Sequence, residues 1–166
     1  MKNALLMDFT VDKDQNKIHV KRTFDTPLNK VWAAWTDSKL LDQWWAPKPW
    51  KAVTKSMEFQ EGGYWLYAMV GPEGEKEWAR TDYKQITPYQ KFSAQDGFCD
   101  EQGTVNTSLP RSLWTNAFTE ADNTTKVTIE ISYDKLEDLE SILQFGFQEG
   151  FTIALQELDV FLAKEK

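Results

Sequence analysis

The chain has 166 residues, 41% of them hydrophobic and 27% charged, with a net charge of −7 and a single cysteine. The acidic balance argues against a nucleic-acid partner and an anionic membrane surface, since both require clustered basic side chains. One cysteine excludes an intrachain disulfide, and residues 1–8 hold no apolar run long enough for a signal peptide or a membrane span. A single cytoplasmic domain over residues 1–166 is the expectation.

Leu5, Met7, Phe9 and Val11 alternate with other residues and predict a first strand, followed by a polar turn at 12–16. Residues 17–24 alternate again and should complete a hairpin. Asp25 and Thr26 are candidate helix caps, and Pro27 suits a first helical turn, where its missing N–H costs nothing. Val31, Trp32, Trp35, Leu40, Leu41, Trp44 and Trp45 then supply apolar residues at helical spacings, which predicts two short helices over about 27–45. Strands are expected at 53–59, 64–70, 77–86, 91–96, 111–119 and 126–133. Turn signals at Gly62-Gly63, Gly71-Pro72-Glu73-Gly74 and Pro88 separate the first four of these. Residues 97–110 form the longest loop, a class of segment that often carries function.

Leu136, Leu139, Leu143, Phe147, Phe151, Ala154, Leu158 and Phe161 recur at three- and four-residue steps. They predict one continuous helix over 135–163 with Asp134 as its N-cap. Gly146 and Gly150 lie inside that helix and each costs up to about 1 kcal/mol against alanine. Close approach of a strand, or room for a ligand, would offset the cost. The order β-β-α-α-β-β-β-β-β-β-α is that of an α+β domain, a curved antiparallel sheet with a long helix over its concave face.

No arrangement of residues points to catalysis, to a metal or to a cofactor. His19 is the only histidine and shares strand parity with Lys17, Lys21 and Thr23, so it reads as a surface residue. Without a second His or Cys, a transition-metal site is not supported. Cys99 sits among Asp100 and Glu101, which raise a thiol pKa and leave it inert. No phosphate-cradling glycine loop and no spaced carboxylate pair are present.

Several ordered motifs resemble the family named after the activator of the heat-shock protein 90 ATPase, within the START-like (SRPBCC, Bet v-like) superfamily. They are Arg22-x-Phe24-x-x-Pro27, Val31-Trp32, Thr36-Asp37, Trp44-Trp45-x-Pro47, Gly62-Gly63 before Trp65, Tyr67 and Met69, Pro72-x-Gly74, Tyr83-x-x-Ile86-x-Pro88 and Gly150-Phe151. Glu58, Gln60 and Glu61 stand where the family usually has Asp, Arg and Pro, so no role of that arginine carries over. The resemblance implies a helix-grip fold with a ligand cavity between sheet and C-terminal helix. Chaperone-activator members carry a further N-terminal domain that engages the chaperone, and a chain of 166 residues has no room for it, so a chaperone partner is not expected.

Placed in that fold, Trp65, Tyr67 and Met69 face the helix, and Phe147, Gly150 and Phe151 face back from it. These residues line the implied cavity or simply pack the core. Trp114, Asn116 and Phe118 share a parity, and Asn116 is either a ligand-orienting group or solvent-facing. Trp78, Arg80 and Asp82 alternate on one strand. An outward face is favoured for them, but turned inward, Trp78 and Arg80 join the site and Arg80 binds an anionic ligand end. Of Trp44 and Trp45, one packs and one closes the cavity mouth.

The reading that follows is a binder of a small apolar molecule, aromatic or acyl. The alternatives are a START-like enzyme of cyclase or hydrolase type, favoured if Arg80, Tyr83 or Asn116 converge in one pocket, and a chaperone-interacting module. A homodimer stays open.

Overall fold

The structure, a computed structural model, describes residues 7–164; Leu5 of the expected first strand lies outside them. Strands β1 (Met7–Asp12) and β2 (Lys17–Phe24) form a hairpin, and helices α1 (Leu28–Thr36) and α2 (Ser38–Leu41) follow. Six strands come next: β3 (Lys51–Met57), β4 (Tyr64–Val70), β5 (Lys76–Thr87), β6 (Lys91–Phe98), β7 (Ser112–Ala121) and β8 (Thr124–Ser132). Helices α3 (Leu136–Gln144) and α4 (Phe147–Lys164) end the chain.

All eight strands join one antiparallel sheet in the order β1-β2-β8-β7-β6-β5-β4-β3. The one non-sequential neighbour pair is β2 and β8, which brings the first hairpin beside the last strand. The helical segment between β2 and β3 makes this possible by carrying the chain to the far edge. β7 and β8 meet through Asp122 and Asn123, both with positive φ (53° and 63°), the conformation that closes a two-residue hairpin.

Three local expectations are corrected. α1 has Pro27, not Asp25 or Thr26, at its N-cap position, with no side-chain cap there. Thr26 is buried and its carbonyl accepts the Thr125 hydroxyl at 2.8 Å. The free Leu28 N–H at the helix start instead donates to the Glu120 carboxylate at 2.9 Å, a contact the helix dipole also favours.

The C-terminal helix is not continuous, because Gly146 takes φ +91° between α3 and α4. An L side chain there would be strained, so Gly146 is a helix terminator rather than a tolerated interior glycine. Lys135, not Asp134, occupies the α3 N-cap, without a side-chain bond.

Gly150 does lie within α4, and a Cβ there would be 3.6 Å from Pro47. It therefore borders Pro47, in the segment that follows α2. Gly63 has a stricter reason. A Cβ would stand 2.3 Å from the Glu58 carbonyl, where the 62–63 backbone pairs with Tyr83 at 3.0–3.1 Å.

Alternation along each strand assigns the faces. The inner face carries Ile18, Val20 and Phe24 of β2, Trp65 and Tyr67 of β4, Trp114 and Phe118 of β7, and Val127, Ile129 and Ile131 of β8, all buried. α1 lays Val31, Trp32 and Trp35 on this face, and α4 adds Phe151, Ala154, Leu155, Leu158 and Leu162. Each such large side chain contributes about 1.5–3 kcal/mol when fully buried. Arg22 also points inward, because it shares parity with Ile18, Val20 and Phe24, and it pairs with Asp159 of α4.

The long loop after β6 packs on the outer face. Arg80 Nη1 donates to the Gly103 carbonyl at 2.6 Å, and Lys55 Nζ donates to the Glu101 carbonyl at 3.0 Å. A bridge between Cys99 and Val105 closes the loop on itself. No helix among the described residues is long and apolar enough to cross a membrane.

Candidate ligand site between sheet and helix

The space between the inner face and α4 is filled mainly by aromatic rings. Trp45 is their hub, with ring centroids 5.3–6.4 Å from those of Trp35, Trp44, Trp65, Trp114 and Phe151. Most of these pairs meet edge to face, the geometry in which a positive ring edge points at a negative ring face. Trp65 and Tyr67 stack at 4.0 Å.

What remains open is a cavity of about 30 Å³. It has room for a water-sized guest, well short of the roughly 300–1,000 Å³ of a drug-sized ligand pocket. The ligand-sized cavity implied by the resemblance is therefore closed here by side chains. Trp35, Leu41, Trp45, Trp65, Phe92, Ala94 and Trp114 form its apolar wall, and Thr81, Tyr83, Asp96 and Asn116 add polar groups.

Two of the wall residues carry buried polar atoms without a hydrogen-bond partner, the Trp35 indole Nε1 and the Asn116 Oδ1. Both residues are 3% exposed. Leaving a buried donor or acceptor unmade costs about 1–3 kcal/mol, so native interiors rarely hold one, and two in residues that line one cavity call for an explanation. The other indoles nearby are satisfied. Trp44 Nε1 donates to the Ala34 carbonyl, Trp45 Nε1 to the Tyr67 hydroxyl and Trp65 Nε1 to the Thr54 hydroxyl, at 2.9–3.0 Å.

Asp96 is the carboxylate of this wall. Its Oδ1 accepts from both the hydroxyl and the backbone N–H of Ser112, and that hydroxyl in turn accepts from Trp114 Nε1 at 3.1 Å. Burial pushes the Asp96 carboxyl above its ordinary value, and the bonds from Ser112 offset only part of that. Burial likewise pushes the Tyr83 and Tyr67 hydroxyls well above the usual tyrosine range.

The sign of the Asp96 effect yields a prediction. Its folded pKa is raised, so the folded state binds more protons than the unfolded one between the ordinary carboxyl pKa and the raised value. Stability falls as pH rises through that window. Asp96→Asn is expected to raise the melting temperature at pH 7, and the gain should vanish below the ordinary value of 3.8. Thermal denaturation of both proteins from pH 3 to 8 measures this. A gain independent of pH would contradict it.

Of the residues proposed from sequence, the structure brings Trp65, Trp114 and Asn116 to the cavity. Asn116 faces inward, which resolves its open parity. Tyr67, Met69, Phe118, Phe147 and Phe151 belong to the surrounding hydrophobic cluster without bordering the cavity itself. Phe118, for example, packs under α1 with ring centroids 5.0 Å from Trp32.

Trp44 is the packing member of its pair, 1% exposed, and Trp45 is the one at the cavity. Trp78 and Arg80 do not reach the cavity, because the strand parity that turns Ala79, Thr81 and Tyr83 inward turns them outward. Arg80 lies 3.9 Å over the Tyr64 ring and shares Asp82 with Arg111. Bonding to Asp82 holds the Arg80 guanidinium above its usual value. Burial works to raise Asp82, but the two arginines outweigh it and keep that carboxyl low.

The enzymatic test on Arg80, Tyr83 and Asn116 is thus met by the last two only. Trp35, Thr81 and Asp96 were not singled out from sequence. Asp96 shares strand parity with Phe92 and Ala94, and that was the available signal.

Cys99 is partly buried, and burial first, then Asp100, raises its thiol. His19 is half-exposed on the outer face, with Nδ1 3.9 Å from Glu130. The described residues contain no cluster of metal-ligating side chains. A groove outside α4, lined by Gln43, Glu157, Val160, Phe161 and Lys164, holds none of the unpaired buried atoms.

Sheet order, the paired helices before β3 and the aromatic interior converge on one known family. Residues 25–163 match the model of the Activator of Hsp90 ATPase homolog 1-like proteins. The chain belongs to this family. Its fold is shared by a crystallised Mycobacterium smegmatis protein, 30% identical with a TM-score of 0.86, covering 95% of this chain and 97% of that one. An Arthrobacter aurescens protein solved by NMR is 28% identical with a TM-score of 0.89, covering 95% of this chain and 91% of the other. A Staphylococcus epidermidis protein is 27% identical with a TM-score of 0.83 and 95% coverage of both chains. No curated protein matches the chain. The chain therefore has the START-like helix-grip fold, an α+β architecture consistent with ligand binding.

Proposed function

We propose that the protein binds a small, largely apolar molecule, aromatic or acyl in its body, between the inner face of the sheet and α4. One observation carries this reading. The ring cluster encloses a cavity lined by Trp35 and Asn116, and the Nε1 of one and the Oδ1 of the other are buried and unpaired. A buried donor and a buried acceptor in the wall of one apolar cavity are what the polar end of a ligand would pair with.

Trp45 is the side chain that yields. It lies in the 42–50 segment outside regular strand or helix, it is only partly buried, and one hydrogen bond to Tyr67 holds its polar end. A flat ring entering the interior would replace its contacts like for like.

A thermal-shift screen against flat aromatic and fatty-acyl compounds tests the reading. A ligand binding only the native state raises stability by about 2.7 kcal/mol at a hundred times its dissociation constant. Four tryptophans border the cavity, so the same hit should alter intrinsic fluorescence. No shift across the whole set, with the protein folded, contradicts the proposal.

An enzymatic role has one observation in its favour, the raised carboxyl of Asp96 in a pocket with Tyr83 and Asn116. It gains support if a hit from the screen is turned over and Asp96→Asn stops turnover without weakening binding.

A further inference from the structure

The two unpaired atoms have opposite character. Trp35 Nε1–H can only donate and Asn116 Oδ1 can only accept. A guest that satisfies both must accept one hydrogen bond and donate another within a small space. Among the described residues no Lys, Arg or His borders the cavity, and Asp96 is the one carboxylate there. Arg22, a buried cation of the inner face, pairs through Nη2 with Asp159 and does not border the cavity. A ligand carboxylate would find no counter-ion, would lack the proton that Asn116 Oδ1 requires, and would sit near Asp96.

We infer that the site takes an uncharged ligand whose polar end is an amide-type edge, a carboxamide or lactam presenting C=O to Trp35 and N–H to Asn116, and that it rejects carboxylates. This rests on the binding role proposed above and names the ligand class for that same site. The apolar part of the ligand occupies the ring cluster, and the amide edge sets its orientation.

Benzamide, benzoate and toluene make the test, because they share one ring and differ only at the polar end. Binding is followed by the ¹H–¹⁵N signals of the tryptophan indoles in the whole protein. Benzamide is expected to bind at least about tenfold more tightly than benzoate or toluene, since each paired buried hydrogen bond is worth a several-fold gain. It should move the Trp35 indole proton downfield.

Asn116→Leu removes the orphan acceptor at similar volume and should stay folded. In that variant benzamide should lose about five- to tenfold, while toluene is held or improved. Asn116→Ser, which keeps a hydroxyl acceptor, checks that a loss in the leucine variant reflects the missing acceptor.

Benzoate or toluene binding as well as benzamide, or benzamide binding with Trp35 unmoved, overturns the inference and leaves the binding role standing. The same holds if the three probes fail while other compounds of the screen bind, or if a bridging water alone occupies the two atoms in a complex. Failure of every compound overturns both.

Discussion

Asp159→Asn is expected to cost about 3 kcal/mol of stability, out of proportion to its partly exposed position on α4. The reason lies in its partner. Arg22 is 4% exposed and Asp159 24%, and the Arg22 Nε has no hydrogen-bond partner even in the intact protein. Burial lowers the Arg22 pKa, the mark of a charge held against its own desolvation. Removing the carboxylate strands that charge beneath α4, and breaking such a pair costs about 3–5 kcal/mol. Partial exposure of Asp159 places the effect at the lower end. In a domain of this size it amounts to a fall of roughly 6–12 °C in Tm.

The pair itself adds little, because its Coulombic gain is offset by desolvation. The double substitution Arg22→Met with Asp159→Leu should therefore recover most of the loss. Urea melts of the single and double variants measure this. A double variant no better than Asp159→Asn would show instead that the ion pair stabilises the docking of α4 outright.

Trp45→Ala is the second large effect, with a signature that separates a ligand site from a plain core. Truncating the hub of the ring cluster removes contacts with Trp35, Trp44, Trp65, Trp114 and Phe151 and leaves the Tyr67 hydroxyl without its donor. A loss of about 3 kcal/mol is expected. The vacated space joins the existing cavity, so a free aromatic molecule should fill it. Indole at a hundred times its dissociation constant would return about 2.7 kcal/mol. Differential scanning fluorimetry with and without indole checks both halves. Loss of stability with no rescue would mean that the interior collapses instead of opening.

Legibility from sequence followed the range of the interactions involved. Strand alternation is local, and so β4 could be read residue for residue at 64–70. The hairpin of β1 with β2 was equally open to view.

The break at Gly146 was hidden because the apolar spacing continues across it, from Leu143 to Phe147 to Phe151, and only the φ of one glycine interrupts the helix. Capping of α1 by Glu120 was out of reach, since the carboxylate arrives from a strand 92 residues away.

At the site, parity grouped Trp65 with Tyr67 and Met69, and Asn116 with Trp114 and Phe118, but left the direction of Asn116 open. It had no means of choosing between the neighbours Trp44 and Trp45, whose roles depend on how the segment after α2 lies over the sheet. Trp78 and Arg80 faced outward as the pattern favoured, and the long loop, flagged as a functional segment, lies with Gly103 against Leu66 and Arg80 on that outer side. Only tertiary packing could reveal that Trp35 and Asn116 lack partners, because an unmade hydrogen bond leaves no trace in a sequence.

The most direct measurement is a crystal structure of the protein with the tightest hit from the compound screen. The expected result is ligand density between the inner face and α4, against Trp35, Trp114 and Asn116, with the Trp45 ring swung away and its bond to Tyr67 broken. A hit bound in the groove outside α4 or on the outer face, with the Trp45 ring cluster unchanged, would contradict a ligand site in the interior.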